Sequence, residues 1–126
     1  MDVTPMVGKD KNIIHSYVGG RFKVGEEVFE KPIIVLPDSV TSWKVPGGGA
    51  GKLQLEHFEP IIAMKADLDV VLFGSGKAMV FLSPDLKFSL QTQGLNIDIM
   101  DTGAACRTYN VLMAEGRRVA AALLPT

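Results

Sequence analysis

Residues 96–125 constrain this chain more than any other stretch. They contain a strand in which Ile97 and Ile99 alternate with Asn96 and Asp98, then a helix apolar on most of its sides, then a strand, Val119 to Leu124, apolar on both faces. A strand with no polar face must lie inside a sheet that is covered above and below. A segment of that kind can only be the centre of a core. The rest of the chain has to supply the outer strands and the second covering layer.

The chain is long enough to do so. Its 126 residues suit one domain with a core that needs no covalent staples. A hydrophobic content of 47% against 21% charged excludes a disordered protein. The net charge of −1 gives no general attraction to nucleic acid or to an anionic membrane. Cys106 is the one cysteine, so no internal disulfide can form. Met1 to Lys11 has neither an apolar signal core nor an Arg-rich presequence. No apolar run approaches the ~20 residues of a membrane span. These features lead to the expectation of a soluble cytoplasmic protein without membrane insertion, or of an organellar one whose presequence is missing. Residues 1–12 are expected to form a flexible tail.

Upstream of the central stretch, Ile13 to Val18, Phe22 to Val24 and Val28-Phe29 are separated by Gly19-Gly20 and Gly25-Glu26, which predicts an antiparallel meander. Ile33 to Leu36 reads as a strand buried on both sides and ended by Pro37-Asp38. Val40 to Lys52 reads as a loop. Leu55, Phe58, Ile61, Ile62 and Lys65 follow helical spacing, with Pro60 starting or kinking that helix. Val70 to Phe73 is a further buried strand, closed by Gly74-Ser75-Gly76. Ser83 caps a helix that begins at Pro84 and stops at Gly94. The fold class predicted is α/β: a three-layer domain over residues 1–126, with a mixed central sheet, flanking helices and an N-terminal β-meander.

The familiar ligand motifs fail on spacing. Gly51-Lys52 would end a P-loop, but Pro46 stands where its first glycine belongs and Leu53 where a Ser or Thr should hold magnesium. Gly74-Ser75-Gly76 opens like a dinucleotide fingerprint, but Met79 replaces the third glycine. It is no nucleophile elbow either, since Phe73 and Lys77 occupy the flanking glycine positions. A Gly-Ser-Gly turn can still offer backbone amides to an anion, and the alternative is a tight strand exit. His15, His57 and Cys106 show no metal-ligand spacing, and Asp67 with Asp69 reads as solvated loop acid, so neither a metal nor a cofactor is expected.

The helix after Asp101 carries the remaining candidates. Its start has free N–H groups and a positive dipole end. Cys106 reads as a small buried hydrophobe rather than a reactive thiolate, because no activating histidine is near in sequence. Asp101, Arg107 and Asn110 form a narrow polar strip that is either a site or a structural network.

At this helix a family resemblance appears. Met100-Asp101-Thr102-Gly103-Ala104-Ala105-Cys106-Arg107-Thr108-Tyr109-Asn110-Val111-Leu112 and Glu115-Gly116-Arg117-Arg118-Val119-Ala120-Ala121-Ala122-Leu123 resemble the uncharacterised domain family that includes mitochondrial complex I assembly factor 3 and the adipogenesis-associated domain protein. Leu36-Pro37 followed by Trp43, Leu72-Phe73-Gly74-Ser75-Gly76 and Ser83-Pro84 agree in order, so the resemblance runs from about Ile13 to Pro125. It implies a compact α/β domain with a mixed sheet and no established catalytic residues. It also implies a role in complex I assembly through protein contacts, with complex I subunits as partners. A homo-oligomer is left open.

Two readings follow. The first is a non-catalytic protein-binding or assembly factor, with an exposed Trp43, Val45 and the Gly-rich loop as the contact surface. The second is a small-molecule or anion-binding domain, which includes the case of an enzyme. Its pocket would be made by Gly74, Ser75 and Gly76 where they meet Asp101, Thr102, Arg107 and Asn110.

Overall fold

The computed structural model describes residues 11–126. Three short strands come first: β1 (Ile14–Ser16), β2 (Phe22–Val24) and β3 (Glu27–Phe29). They pair antiparallel in the order β1-β2-β3, as the glycine breaks demand. Gly25, in the β2–β3 turn, has φ of +57°, a conformation that side-chain-bearing residues rarely adopt.

The second sheet has five strands: β4 (Ile33–Leu36), β5 (Ser39–Ser42), β6 (Val70–Gly74), β7 (Ile97–Met100) and β8 (Val119–Leu123). Their spatial order is β5-β4-β8-β6-β7. The strand with no polar face, β8, takes the central place, and all five of its residues are buried. It runs parallel to β6 and antiparallel to β4, so the sheet is mixed. β5 was not expected. The chain does not stop at Pro37-Asp38 but turns there into Ser39-Val40-Thr41-Ser42, which pairs with β4. This edge strand is short and polar, as edges that must resist further pairing tend to be, and so it lacks a hydrophobic signature.

The helices α1 (Glu59–Ile62), α2 (Pro84–Thr92) and α3 (Thr102–Ala114) complete the layers. Pro60 sits in the first turn of α1, which follows a 3-10 turn over Leu55–Phe58. Ser83 caps α2, accepting from the Leu86 amide at 3.2 Å. The β6-α2-β7 connection steps outward in the sheet, and β7-α3-β8 steps back past β6. Two crossovers of the usual right hand that step in opposite directions must cover opposite faces. The packing agrees. Leu86 and Leu90 of α2 join Phe58, Ile61, Val71 and Phe73 on one side. Ala105, Tyr109 and Met113 of α3 join Leu72, Ala121 and the meander residues Ile14, Phe22 and Val24 on the other. Alternation along β6, with Val71 and Phe73 to one core and Leu72 to the other, is the period-2 pleat feeding two layers. Small residues at the contact, Ala105 on α3 and Ala121 on β8, let helix and sheet approach closely.

α3 is less uniformly apolar than its sequence implies: Val111 points to solvent and is 59% exposed. Of the expected N-terminal tail, residues 1–10 lie outside the described residues. Lys11 and Asn12 are fastened, not free: the Asn12 amide donates to Pro37 O at 2.8 Å and its side chain to Leu36 O at 2.9 Å.

Candidate functional site

The turn after β6 and the start of α3 do meet. β6, β7 and β8 are parallel, so their carboxyl ends lie together, and Gly74 pairs with Met100 and with Leu123. The Thr102 amide donates to Gly76 O at 2.8 Å, and the Ser75 amide to Met100 O at 2.9 Å. Of the residues expected to build a pocket, Gly74, Ser75, Gly76, Asp101 and Thr102 are brought together here.

Their polar groups face one another. The Gly76 amide donates to Thr102 Oγ1 at 2.8 Å, and that hydroxyl donates to Leu124 O at 2.6 Å. Thr102 is fully buried. The Asp101 carboxylate caps α3, accepting from the Ala104 amide at 2.9 Å. Gly74 has no room for a side chain: a Cβ there would lie 2.9 Å from Leu123 Cδ2 and from Thr102 Oγ1. The Ser75 hydroxyl is likewise committed. It donates to Ala78 O at 2.7 Å and accepts from the Val80 amide at 2.9 Å, which ties the next loop to the strand exit. The Ser75, Gly76, Thr102 and Ala104 amides are therefore engaged within the fold.

Arg107 and Asn110 lie further along α3 and face the meander. Asn110 makes a backbone-like pair with β1: its Oδ1 accepts from the Ile14 amide at 2.9 Å and its Nδ2 donates to Ile14 O at 2.8 Å. Arg107 donates to Tyr17 Oη at 2.6 Å, and its guanidinium lies 5.9 Å from the Tyr17 ring centroid. Tyr109 Oη donates to Asn12 O at 2.8 Å. The polar strip thus binds the three-stranded sheet to the helix. Cys106 lies buried on the same helix, and burial pushes its thiol up to about 12. At neutral pH it holds its proton and is no nucleophile.

The exposed tryptophan expected from the sequence is not found. Trp43 is 3% exposed, packs edge-on to Phe58 and Phe73, and donates its indole N–H to His57 O at 2.8 Å. Val45 is half-buried against the same core. Exposed apolar side chains lie elsewhere: Val18 and Val28 on the meander, Val111 on α3, and a larger group in the loop between β6 and α2 and on the outer side of α2. Met79, Val80, Phe81 and Phe88 are between 41 and 71% exposed. The sequence did carry a signal: Phe88 falls out of step with the buried pair Leu86 and Leu90, and Met79-Val80-Phe81 is an apolar run outside any element.

The amino ends of β6 and β8 are built differently. A cavity of about 400 Å³ opens there, floored by Leu36, Met64, Leu68, Met113 and Val119. Beside it Arg118 grips Asp69, with Nη2 to Oδ1 at 2.8 Å and Nε to Oδ2 at 3.2 Å. The Arg118 hydrogen bond, more than any other influence, holds the Asp69 carboxyl down at about 2. Among the described residues no three His, Cys, Asp or Glu side chains gather to hold a metal, and no helix is long and apolar enough to cross a membrane.

Comparison with known proteins gives a consistent picture. The family described as protein of unknown function (DUF498/DUF598) matches residues 14–124. The NADH dehydrogenase (ubiquinone) 1 alpha subcomplex assembly factor 3 of Bos taurus is 34% identical over 113 residues, covering 89% of this chain and 60% of that protein. The chain thus spans about three fifths of the length of such relatives. A crystal structure of a Bordetella parapertussis protein superposes with a TM-score of 0.80 at 35% identity, covering 92% of this chain and 97% of that one. A structure described as an outer membrane protein from Bartonella henselae has a TM-score of 0.79 at 30% identity, over 93% and 97% of the two chains.

Proposed function

We propose, from the premise that the chain belongs to the DUF498/DUF598 family of proteins of unknown function, that it is a non-catalytic accessory factor acting by binding another protein. The likeness to an NADH dehydrogenase assembly factor supports this reading, and it makes subunits of that enzyme the partners to test. One observation in the fold carries it: Met79-Val80-Phe81 and Phe88 leave large apolar side chains in water within a single crossover. Exposing two phenylalanines forgoes roughly 1.5–3 kcal/mol of burial apiece, a cost that contact with a partner would remove. The loop bearing Met79 to Phe81 is also held in place by the Ser75 hydroxyl, so this surface is presented rather than left loose.

We place this activity in the cytoplasm. The Bartonella relative's description as an outer membrane protein makes cell fractionation the direct check, and recovery with the membranes would overturn the placement.

The function itself is tested by affinity capture of the native protein from its own cells. NADH dehydrogenase subunits are expected with the wild type and are expected to be lost with a Phe81→Asp, Phe88→Asp variant whose thermal midpoint is unchanged. Recovery of no such subunits, or equal recovery with both proteins, would sink the reading.

A further inference from the structure

We infer that the cavity at the amino ends of β6 and β8 is a binding site for a free α-amino acid with a large apolar side chain. Its volume, about 400 Å³, falls within the roughly 300–1,000 Å³ typical of small-molecule sites. The floor of Leu36, Met64, Leu68, Met113 and Val119 is aliphatic and thioether, suited to an unbranched or flexible apolar body.

The charges around it decide the ligand's polar end. Five charged residues line the cavity: Lys11, Asp38, Asp67, Arg117 and Arg118. Lys11 and Asp38 pair at 2.7 Å, and Arg118 is occupied by Asp69 at 2.8 Å. Arg117 and Asp67 are left, one of each sign; neither side chain makes a hydrogen bond or contact ion pair among the described residues, and each acts only through space, Arg117 on Asp69 and Asp67 on Arg118. An apolar cavity rimmed by one open guanidinium and one open carboxylate is complementary to a zwitterion. Arg117 presents N–H donors to a carboxylate, and Asp67 presents acceptors to an ammonium. A simple fatty acid would leave Asp67 facing its own charge sign with nothing gained.

Both groups stand on fixed backbone. α3 ends in a Schellman turn, in which Gly116 at φ +80° donates to Met113 O at 3.0 Å and the Arg117 amide to Leu112 O at 3.0 Å. Asp67 closes the 3-10 turn Lys65–Asp67, with its amide on Met64 O at 2.9 Å. Such turns fix the backbone from which the two charges extend, so that only their side chains have to be ordered on binding. The site goes beyond the protein-binding surface, lying at the opposite end of β6 from the loop that bears Met79 to Phe81.

The test titrates L-methionine, N-acetyl-L-methionine and L-methioninamide into the 15N-labelled full chain. Saturable shifts are expected from L-methionine at Leu68, Met113 and Arg117 to Val119. Loss of either charge should weaken binding by about tenfold or more, because a charge-assisted hydrogen bond is removed and its partner left open. Asp67→Asn should abolish the preference for the free over the acetylated ligand, and Arg117→Gln the preference over the amide. Both residues are exposed, so folding should be unaffected. The proposal is overturned if L-methionine gives no saturable shifts, if the shifts map elsewhere, or if the acetyl or amide derivative binds wild type as well as methionine does. Equal binding of the amide would mean that only an amino terminus is read, as in a polypeptide.

Discussion

The two ends of the five-stranded sheet are secured by opposite means. At the carboxyl ends of β6, β7 and β8, Gly74, Gly76, Thr102 and Leu124 lock together through buried hydrogen bonds, with no space for a methyl group at Gly74. At the amino ends of β6 and β8, an exposed Asp69–Arg118 pair stands beside an apolar cavity. Ligands in open α/β sheets usually gather beyond the carboxyl ends of the strands, where loops and helix starts leave amides unspent. In this molecule four of those amides, of Ser75, Gly76, Thr102 and Ala104, are spent. The Thr102 hydroxyl satisfies Gly76 and Leu124 at once, and Asp101 accepts from the Ala104 amide at the helix start. What distinguishes a site from a seam is whether the donors already have partners, not which end of the sheet they occupy.

The strongest way to break this contrast is Thr102→Val. The isostere keeps the shape but leaves the Gly76 amide and Leu124 carbonyl unpaired in a dry place, at about 1–3 kcal/mol each. Chemical denaturation should show a loss near the sum. A loss below about 0.5 kcal/mol, the size of an ordinary surface substitution, would mean that water reaches these groups and the end is not sealed.

Gly74→Ala sharpens the same point by volume. The added methyl would meet Thr102 Cα at 3.0 Å, backbone that cannot swing aside. Overpacking of this kind costs about 1–3 kcal/mol, and a thermal midpoint equal to wild type would show that the two segments separate easily.

The smallest effect belongs to the open end. Asp69 ionises at about 2 in the fold against an ordinary value of 3.8. A carboxyl depressed on folding contributes stability that is complete above its unfolded value and is lost as pH falls through its folded one. The gap in urea midpoint between wild type and Asp69→Asn should therefore be constant at neutral pH and close between 3.8 and about 2. A gap independent of pH would show that the pair does not hold this end. Being exposed and screened, it should weigh less than either change at the sealed end.

Much of the architecture was legible because local pattern and global fold agree. Ser83-Pro84 and Gly94 mark the ends of α2, Asp101 or Thr102 the start of α3, where the structure makes Asp101 the cap, and the unbroken apolar run of Val119 to Leu124 the central strand. β5 was not legible, since Ser39, Thr41 and Ser42 read as loop chemistry and become a strand only beside β4. The site residues were legible as polar groups worth noticing but not by role. Asn110 reads as a candidate ligand until Ile14, 96 residues earlier in the chain, supplies its two partners. Trp43, set in a Gly-rich loop, reads as exposed until Phe58 and Phe73 close around it.

By itself the sequence determined the order of the elements other than β5, the two-faced burial of the last strand and the absence of the spacings that nucleotide or metal chemistry requires. Periodicity and capping are local properties, written in residues a few places apart. Only the tertiary structure decided which polar groups are satisfied and which remain open. Hydrogen-bond partners such as Gly76 and Thr102, or Asp69 and Arg118, are distant in sequence, and no local pattern records that they meet. The same holds for exposure: Phe81 and Trp43 are equally apolar as residues, and the packing of the other elements leaves one in water and buries the other.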